Sequence, residues 1–103
     1  MAEQRKGVKP SMALAEHREA IRRVVASHNG RNVRVFGSVI RDEDCEDSDL
    51  DLLIDPTPET TLLDLGAIRH ELSHLLGVEV EVLTPKCLPE KFRARVLDEA
   101  VPV

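Results

Sequence analysis

Two short apolar runs, each too brief for a helix, set the frame of this chain. Val33-Arg34-Val35-Phe36 is stopped by Gly37-Ser38, and the run over Asp49–Ile54 is stopped by Asp55-Pro56. β-Branched and apolar runs of this length, bounded by glycine and proline, read as strands. Gly37 breaks the first strand, and Ser38 is placed to cap a short helix over Val39–Arg41. Ahead of them, Ser11 is placed to cap a helix whose apolar positions Leu14, Ile21, Val24 and Val25 recur at helical spacing, ending near Asn29-Gly30. After them, Thr60 or Thr61 opens a helix with Leu62, Leu65, Ile68, Leu72, Leu75 and Leu76 on its core stripe, closed by Gly77. Val78–Thr84 alternates valine with glutamate as a third strand, ended by Pro85. A last helix runs from Pro89 to Ala100 with Phe92, Val96 and Leu97 facing inward. The order α-β-(short α)-β-α-β-α predicts one α/β domain over 11–103, preceded by a flexible lead-in over 1–10. At 103 residues the chain has material for one core.

The turn between the first two strands carries the chemistry. Gly37-Ser38, directly after a strand, lets backbone N–H groups approach a phosphate. Twelve residues after Gly37 comes Asp49-Leu50-Asp51, leading into Leu52-Leu53-Ile54. Residues two apart in a strand point to one face, about 6.6 Å apart along the chain. Two such carboxylates can converge on a pair of cations roughly 3.5–4 Å apart, the spacing of two-metal phosphoryl-transfer sites. A phosphate cradle beside a carboxylate pair reads as nucleotide chemistry.

Composition narrows the alternatives. The formal net charge is −5, and seven of the ten residues from Asp42 to Asp51 are acidic, so no direct nucleic-acid binding is expected. Such a cluster repels itself unless cations or arginines neutralise it. No apolar stretch approaches the ~20 residues of a membrane span, and no charged-then-apolar leader opens the chain, which points to a cytoplasmic protein. Cys45 and Cys87 lie far apart without metal-ligand spacing, and both read as incidental thiols. An EF-hand loop fails in both frames. Starting at Asp47 it needs glycine where Leu52 stands and glutamate where Pro58 stands, and starting at Asp42 it meets Asp47 and Leu53. His70-Glu71-Leu72-Ser73-His74 matches the zinc-protease string H-E-x-x-H. Leu72 belongs to the core stripe, however, and each histidine lies about 200° around the helix from it, so both should face solvent. His17 and His28 read as ordinary surface residues.

Gly-Ser, an arginine three residues after the serine, an acidic residue, then Asp-Ser-Asp-x-Asp running into an apolar strand resembles the minimal nucleotidyltransferases of the DNA polymerase β-like superfamily. The resemblance covers about residues 33 to 103, including the third strand and the Glu-Ala-Val-Pro-Val ending. It implies the polymerase β-like fold, a small mixed three-stranded sheet flanked by helices. It also implies that Gly37, Ser38 and Arg41 hold a triphosphate and that Asp49 and Asp51 bind magnesium and nucleotide. The family's third carboxylate matches Glu81 in Val80-Glu81-Val82, so Asp49, Asp51 and Glu81 are the expected catalytic and metal-binding set. Two departures stand out: Asp42 occupies a position where the family has glycine, and Glu81 replaces the commoner aspartate. Aspartate tolerates left-handed backbone better than most residues.

The resemblance further implies two Mg²⁺ ions, ATP as substrate, and transfer of AMP to a hydroxyl acceptor. Minimal nucleotidyltransferases commonly pair as antitoxins with a small helical HEPN ribonuclease toxin, and some resemble enzymes that adenylylate a tyrosine of that partner. Two other readings follow from the same residues: a binding module that blocks its partner by contact alone, and a nucleotidyltransferase acting on a small molecule such as an antibiotic. With Phe36 and Phe92 its only aromatic residues, the chain has little surface on which to stack a base.

Overall fold

The structure is a computed structural model and describes residues 8–103; residues 1–7, most of the expected lead-in, lie outside it. Helix α1 spans Pro10–Glu16, α2 Arg18–Ser27, and strand β1 Gly30–Phe36. A 3-10 turn over Gly37–Val39 and an acidic loop lead to β2, Leu50–Pro56. Helix α3 covers Leu62–Leu76, β3 Val80–Leu83, α4 Glu90–Glu99 and β4 Val101–Pro102, with a second 3-10 turn at Pro85–Cys87.

The sheet runs β3-β2-β1-β4, with β2 parallel to β3 and the other neighbours antiparallel. It is therefore mixed, as expected, but has four strands rather than three. The fourth is a two-residue edge strand whose Val101 and Pro102 pair with Val35 and Arg34. A stretch this short has no periodicity to read, and an edge tolerates a proline that cannot donate to a ladder.

Strand β2 is central and decides which face does what. Leu50, Leu52 and Ile54 are fully buried in the core that packs Leu14, Ile21, Val25, Ile68, Leu72 and Leu76. Side chains alternate along a strand, so Asp51 and Leu53 face the other way. There Leu53 packs with Phe36 and Leu88, flanked by Val96 and Ala100. One face of the sheet is thus sealed by α1, α2 and α3. The other is only partly covered by α4, which has no buried residue. Asp51 lies on that half-open face.

Several local expectations need correcting. The first helix begins at Pro10 and is interrupted at His17 (φ −129°, ψ 24°), a place with neither glycine nor proline to announce a break. Ser11 does not cap it: Lys9 stands at the cap without a side-chain bond, and the Ser11 backbone N–H donates to Asp44 Oδ2 at 2.9 Å. A carboxylate 33 residues away thus takes the role of a capping side chain. Partial burial works to raise the Asp44 pKa, but the bonds from Ser11 outweigh it and hold that carboxyl below its usual value.

In α3, Thr61 forms a reciprocal capping box with Asp64, and Gly77 closes the helix in left-handed conformation at φ 70°. Ile68, Leu72 and Leu76 are its buried row. Leu62 and Leu75 lie about 60–80° to either side of that row, and they stand 85% and 40% exposed instead of in the core. In α4 only Val96 packs inward, while Phe92 and Leu97 are 44% and 38% exposed, against expectation.

Candidate active site

Gly37 is the tightest point of the site. Its φ is +79°, and a Cβ built there would sit 2.3 Å from Asp51 Oδ2. The left-handed backbone favours glycine, and a side chain would in addition displace the Asp51 carboxylate from its place. Cross-strand pairing explains the contact: Phe36, just before Gly37, lies opposite Asp51 in the β1/β2 ladder. Chain reversal at Gly37 then brings bare backbone against the Asp51 side chain. The Gly37 carbonyl accepts from the N–H groups of Ile40 and Arg41, and the Ser38 carbonyl from Glu43. Ser38 sits inside this turn rather than capping a helix over Val39–Arg41, and no side chain caps the turn. Asp42 follows at φ 56°. It therefore adopts the left-handed backbone a glycine would take, and the turn is kept.

Strand pairing also sets the carboxylates. Asp51 lies directly beside Glu81 in the parallel β2/β3 ladder, so the two side chains share a face. Asp49 is exposed immediately before β2, whose first N–H, that of Leu50, donates to the Glu79 carbonyl at 2.8 Å. Burial first, then the charges of Asp49 and Glu81, push the Asp51 pKa from 3.8 up to about 6, with Arg41 pulling the other way. Among the described residues no three His, Cys, Asp or Glu side chains already stand together at ligand spacing. The three acidic groups act on one another without forming a closed cage. Hard carboxylate oxygens are the donor set Mg²⁺ prefers, and bare backbone at Gly37 leaves room for a phosphate beside them.

Arg41 reaches across the opening. Its Nε donates to Glu43 Oε1 at 3.0 Å and its Nη1 to Glu99 Oε1 at 3.4 Å. The bond to Glu43, above all, raises its pKa further, and the charges of Glu43, Glu99 and Asp51 add to this. It thus balances acidic neighbours in this state, including one on α4.

A cavity of about 230 Å³ joins these groups, lined by Phe36, Gly37, Arg41 and Asp51 on one side and by Phe92, Arg95, Val96 and Glu99 of α4 on the other. Larger hollows lie elsewhere, so charge and not size marks the site. The sequence reading missed Arg95 and Glu99. Their signal was available: Phe92, Arg95, Val96 and Glu99 follow the i, i+3, i+4, i+7 spacing of one helix face. The H-E-x-x-H residues are elsewhere. His70 and His74 are exposed, as expected, and line a hollow of about 440 Å³ with Val24, Glu71 and Leu75. Glu71 is engaged by His28 Nε2 at 2.7 Å, which makes His28 a bridge between α2 and α3.

The chain and its fold have counterparts among known proteins. The family model described as "Nucleotidyltransferase domain" matches residues 14–103. This chain belongs to that family. MJ0435 of Methanocaldococcus jannaschii, named as a candidate protein adenylyltransferase, is 36% identical over 92 residues, covering 89% of this nucleotidyltransferase and 99% of its own length. Protein adenylyltransferase MntA of Thermococcus cleftensis is 37% identical over 71 residues, covering 69% of this chain and 72% of its own. A solved structure of a candidate minimal nucleotidyltransferase superposes with a TM-score of 0.81 at 43% identity, over 90% of this chain and 95% of that one. A crystal structure of a toxin–antitoxin with AMP-PNP shares the fold at a TM-score of 0.69 and 13% identity, over 82% of this chain and 69% of that one. This protein is a nucleotidyltransferase of the minimal kind. Among the described residues no helix is long and apolar enough to cross a membrane.

Proposed function

We propose that this nucleotidyltransferase moves AMP from ATP to a hydroxyl of a partner protein, a tyrosine of a HEPN-type toxin, as the antitoxin of a toxin–antitoxin pair in the cytoplasm. The observation that carries the reading is Gly37 backbone pressed against Asp51, with Glu81 beside Asp51 in register. The names of the adenylyltransferase relatives and of the toxin–antitoxin fold neighbour support the direction of the reading.

Asp49, Asp51 and Glu81 would hold two Mg²⁺ ions. When bound, such ions neutralise the triphosphate and lower the pKa of an attacking hydroxyl. The backbone of Gly37 and Ser38 receives phosphate oxygens, and Arg41 exchanges a carboxylate for a phosphate as the triphosphate enters. Glu81 takes the proton of the acceptor hydroxyl. The acceptor oxygen bonds to the α-phosphorus as the bond to the β-phosphate oxygen breaks, and pyrophosphate leaves stabilised by Arg41.

The test is incubation with labelled ATP and the product of the neighbouring gene, followed by mass spectrometry. Transfer predicts one or more AMP additions on a tyrosine, and a toxin that stays inactive after this chain is stripped away. Activity that returns on separation, with Asp49→Ala/Asp51→Ala still protecting cells, would establish blocking by contact instead.

A further inference from the structure

We propose that α4 forms the second wall of the nucleotide site, with Arg95 binding the triphosphate and the exposed ring of Phe92 stacking the base. The inference rests on the ATP-using reading above and assigns residues to it. The hollow beside Asp51 has about 230 Å³, less than the roughly 300–1,000 Å³ of sites that enclose a whole small molecule. It therefore surrounds part of a nucleotide. Its polar lining says which part: bare backbone at Gly37 and two guanidinium groups, Arg41 and Arg95, meet there beside the carboxylates of Asp51 and Glu99.

The two cations are not equivalent. Arg41 is engaged by Glu43 and Glu99, whereas among the described residues the Arg95 side chain takes part in no hydrogen bond or ion pair. Its neighbour on the same helix, Arg93, shows what a structural arginine looks like here. Arg93 donates to the carbonyls of Pro85, Lys86 and Leu88, fastening α4 to the turn after β3. Arg95, lining the cavity without such partners, presents a planar donor fork suited to phosphate oxygens.

The aromatic residues converge on the same place. The chain has two phenylalanines and no tryptophan or tyrosine, and both phenylalanines line this hollow. Phe36 is buried against Leu53 and Leu88, so it serves the core. Phe92 is 44% exposed at the rim. The Lys91 ammonium lies over one side of its ring, 5.5 Å from the centroid, so a base would take the other side or displace it. An exposed aromatic face accepts any base, because every base has a π-face. The sparse aromatic content is thus concentrated where a base would leave the phosphate pocket.

Calorimetric titration of the full chain with Mg·ATP, Mg·GTP and inorganic Mg·triphosphate separates the two assignments. Arg95→Gln should weaken all three about tenfold, the scale of one charge-assisted phosphate contact. Phe92→Leu should weaken ATP and GTP about fivefold or more and leave inorganic triphosphate unchanged. Thermal melting supplies the structural control: Arg93→Gln should lower Tm, and Arg95→Gln should hold the wild-type value. Unchanged affinities in Arg95→Gln, or a Phe92→Leu variant that loses inorganic triphosphate as much as ATP, would overturn the inference while leaving the proposed function standing. Wild-type protein that binds none of the three ligands would remove the proposed function and this inference with it.

Discussion

Asp51→Asn should make the protein more stable and at the same time stop it transferring nucleotide. The half-buried Asp51 carboxyl has its pKa raised from 3.8 to about 6, by burial first and by Asp49 and Glu81 next. A raised pKa means the folded state holds the proton more tightly than the unfolded chain does. This contribution is fully present below about pH 4 and is lost as pH rises through about 6. At about 1.36 kcal/mol per pKa unit, the ceiling is about 3 kcal/mol. Solvent screens a half-exposed group, which brings the expected figure to about 1–1.5 kcal/mol. Asparagine keeps the shape and cannot ionise. The variant should match wild type near pH 4, pull ahead between pH 4 and 6, and keep a constant lead above pH 7. For a domain of this size, 1 kcal/mol moves Tm by about 4–8 °C. Thermal and urea unfolding of both proteins from pH 4 to 8 reads the gap directly. Mg²⁺ at pH 8 should narrow it by stabilising wild type alone, since binding to the folded state adds to stability by mass action. A gap that is absent, or that does not change between pH 4 and 8, would refute the claim that burial and neighbouring charge work against the ionised Asp51 carboxylate.

Gly37→Val should abolish ATP binding in titration and cost about 1–2 kcal/mol from left-handed strain alone, because its Cβ would meet Asp51 Oδ2 at 2.3 Å. Glu81→Asp should keep or quicken transfer of label from ATP, and Glu81→Ala should stop it; indifference to alanine would exclude Glu81 from the site. Thr61→Ala removes one half of the α3 capping box and should lower stability by about 1 kcal/mol in urea unfolding without changing nucleotide affinity.

Features written in a few consecutive residues were legible before any coordinates. Thr60 or Thr61 announced the start of α3, Gly77 its end, and the runs at Val33–Phe36 and Asp49–Ile54 their strands, because caps and periodicity are local physics. The spacing of Gly37-Ser38 to Asp49 and Asp51 pointed to the candidate site for the same reason, since a strand, a turn and a strand bring Gly37 against Asp51. Pairing across the chain was not legible in this way. The resemblance names Glu81, but that it stands directly beside Asp51 follows from the parallel β2/β3 register. The break at His17, and the bond from Ser11 to Asp44 33 residues on, arise from contacts no local pattern encodes. Tertiary packing alone left Leu62 and Phe92 exposed, added Val101 and Pro102 to the sheet edge, and gave Arg93 three carbonyls and Arg95 none. An amphipathic stripe says that a helix has an inner face; where that face ends depends on what the rest of the chain brings against it.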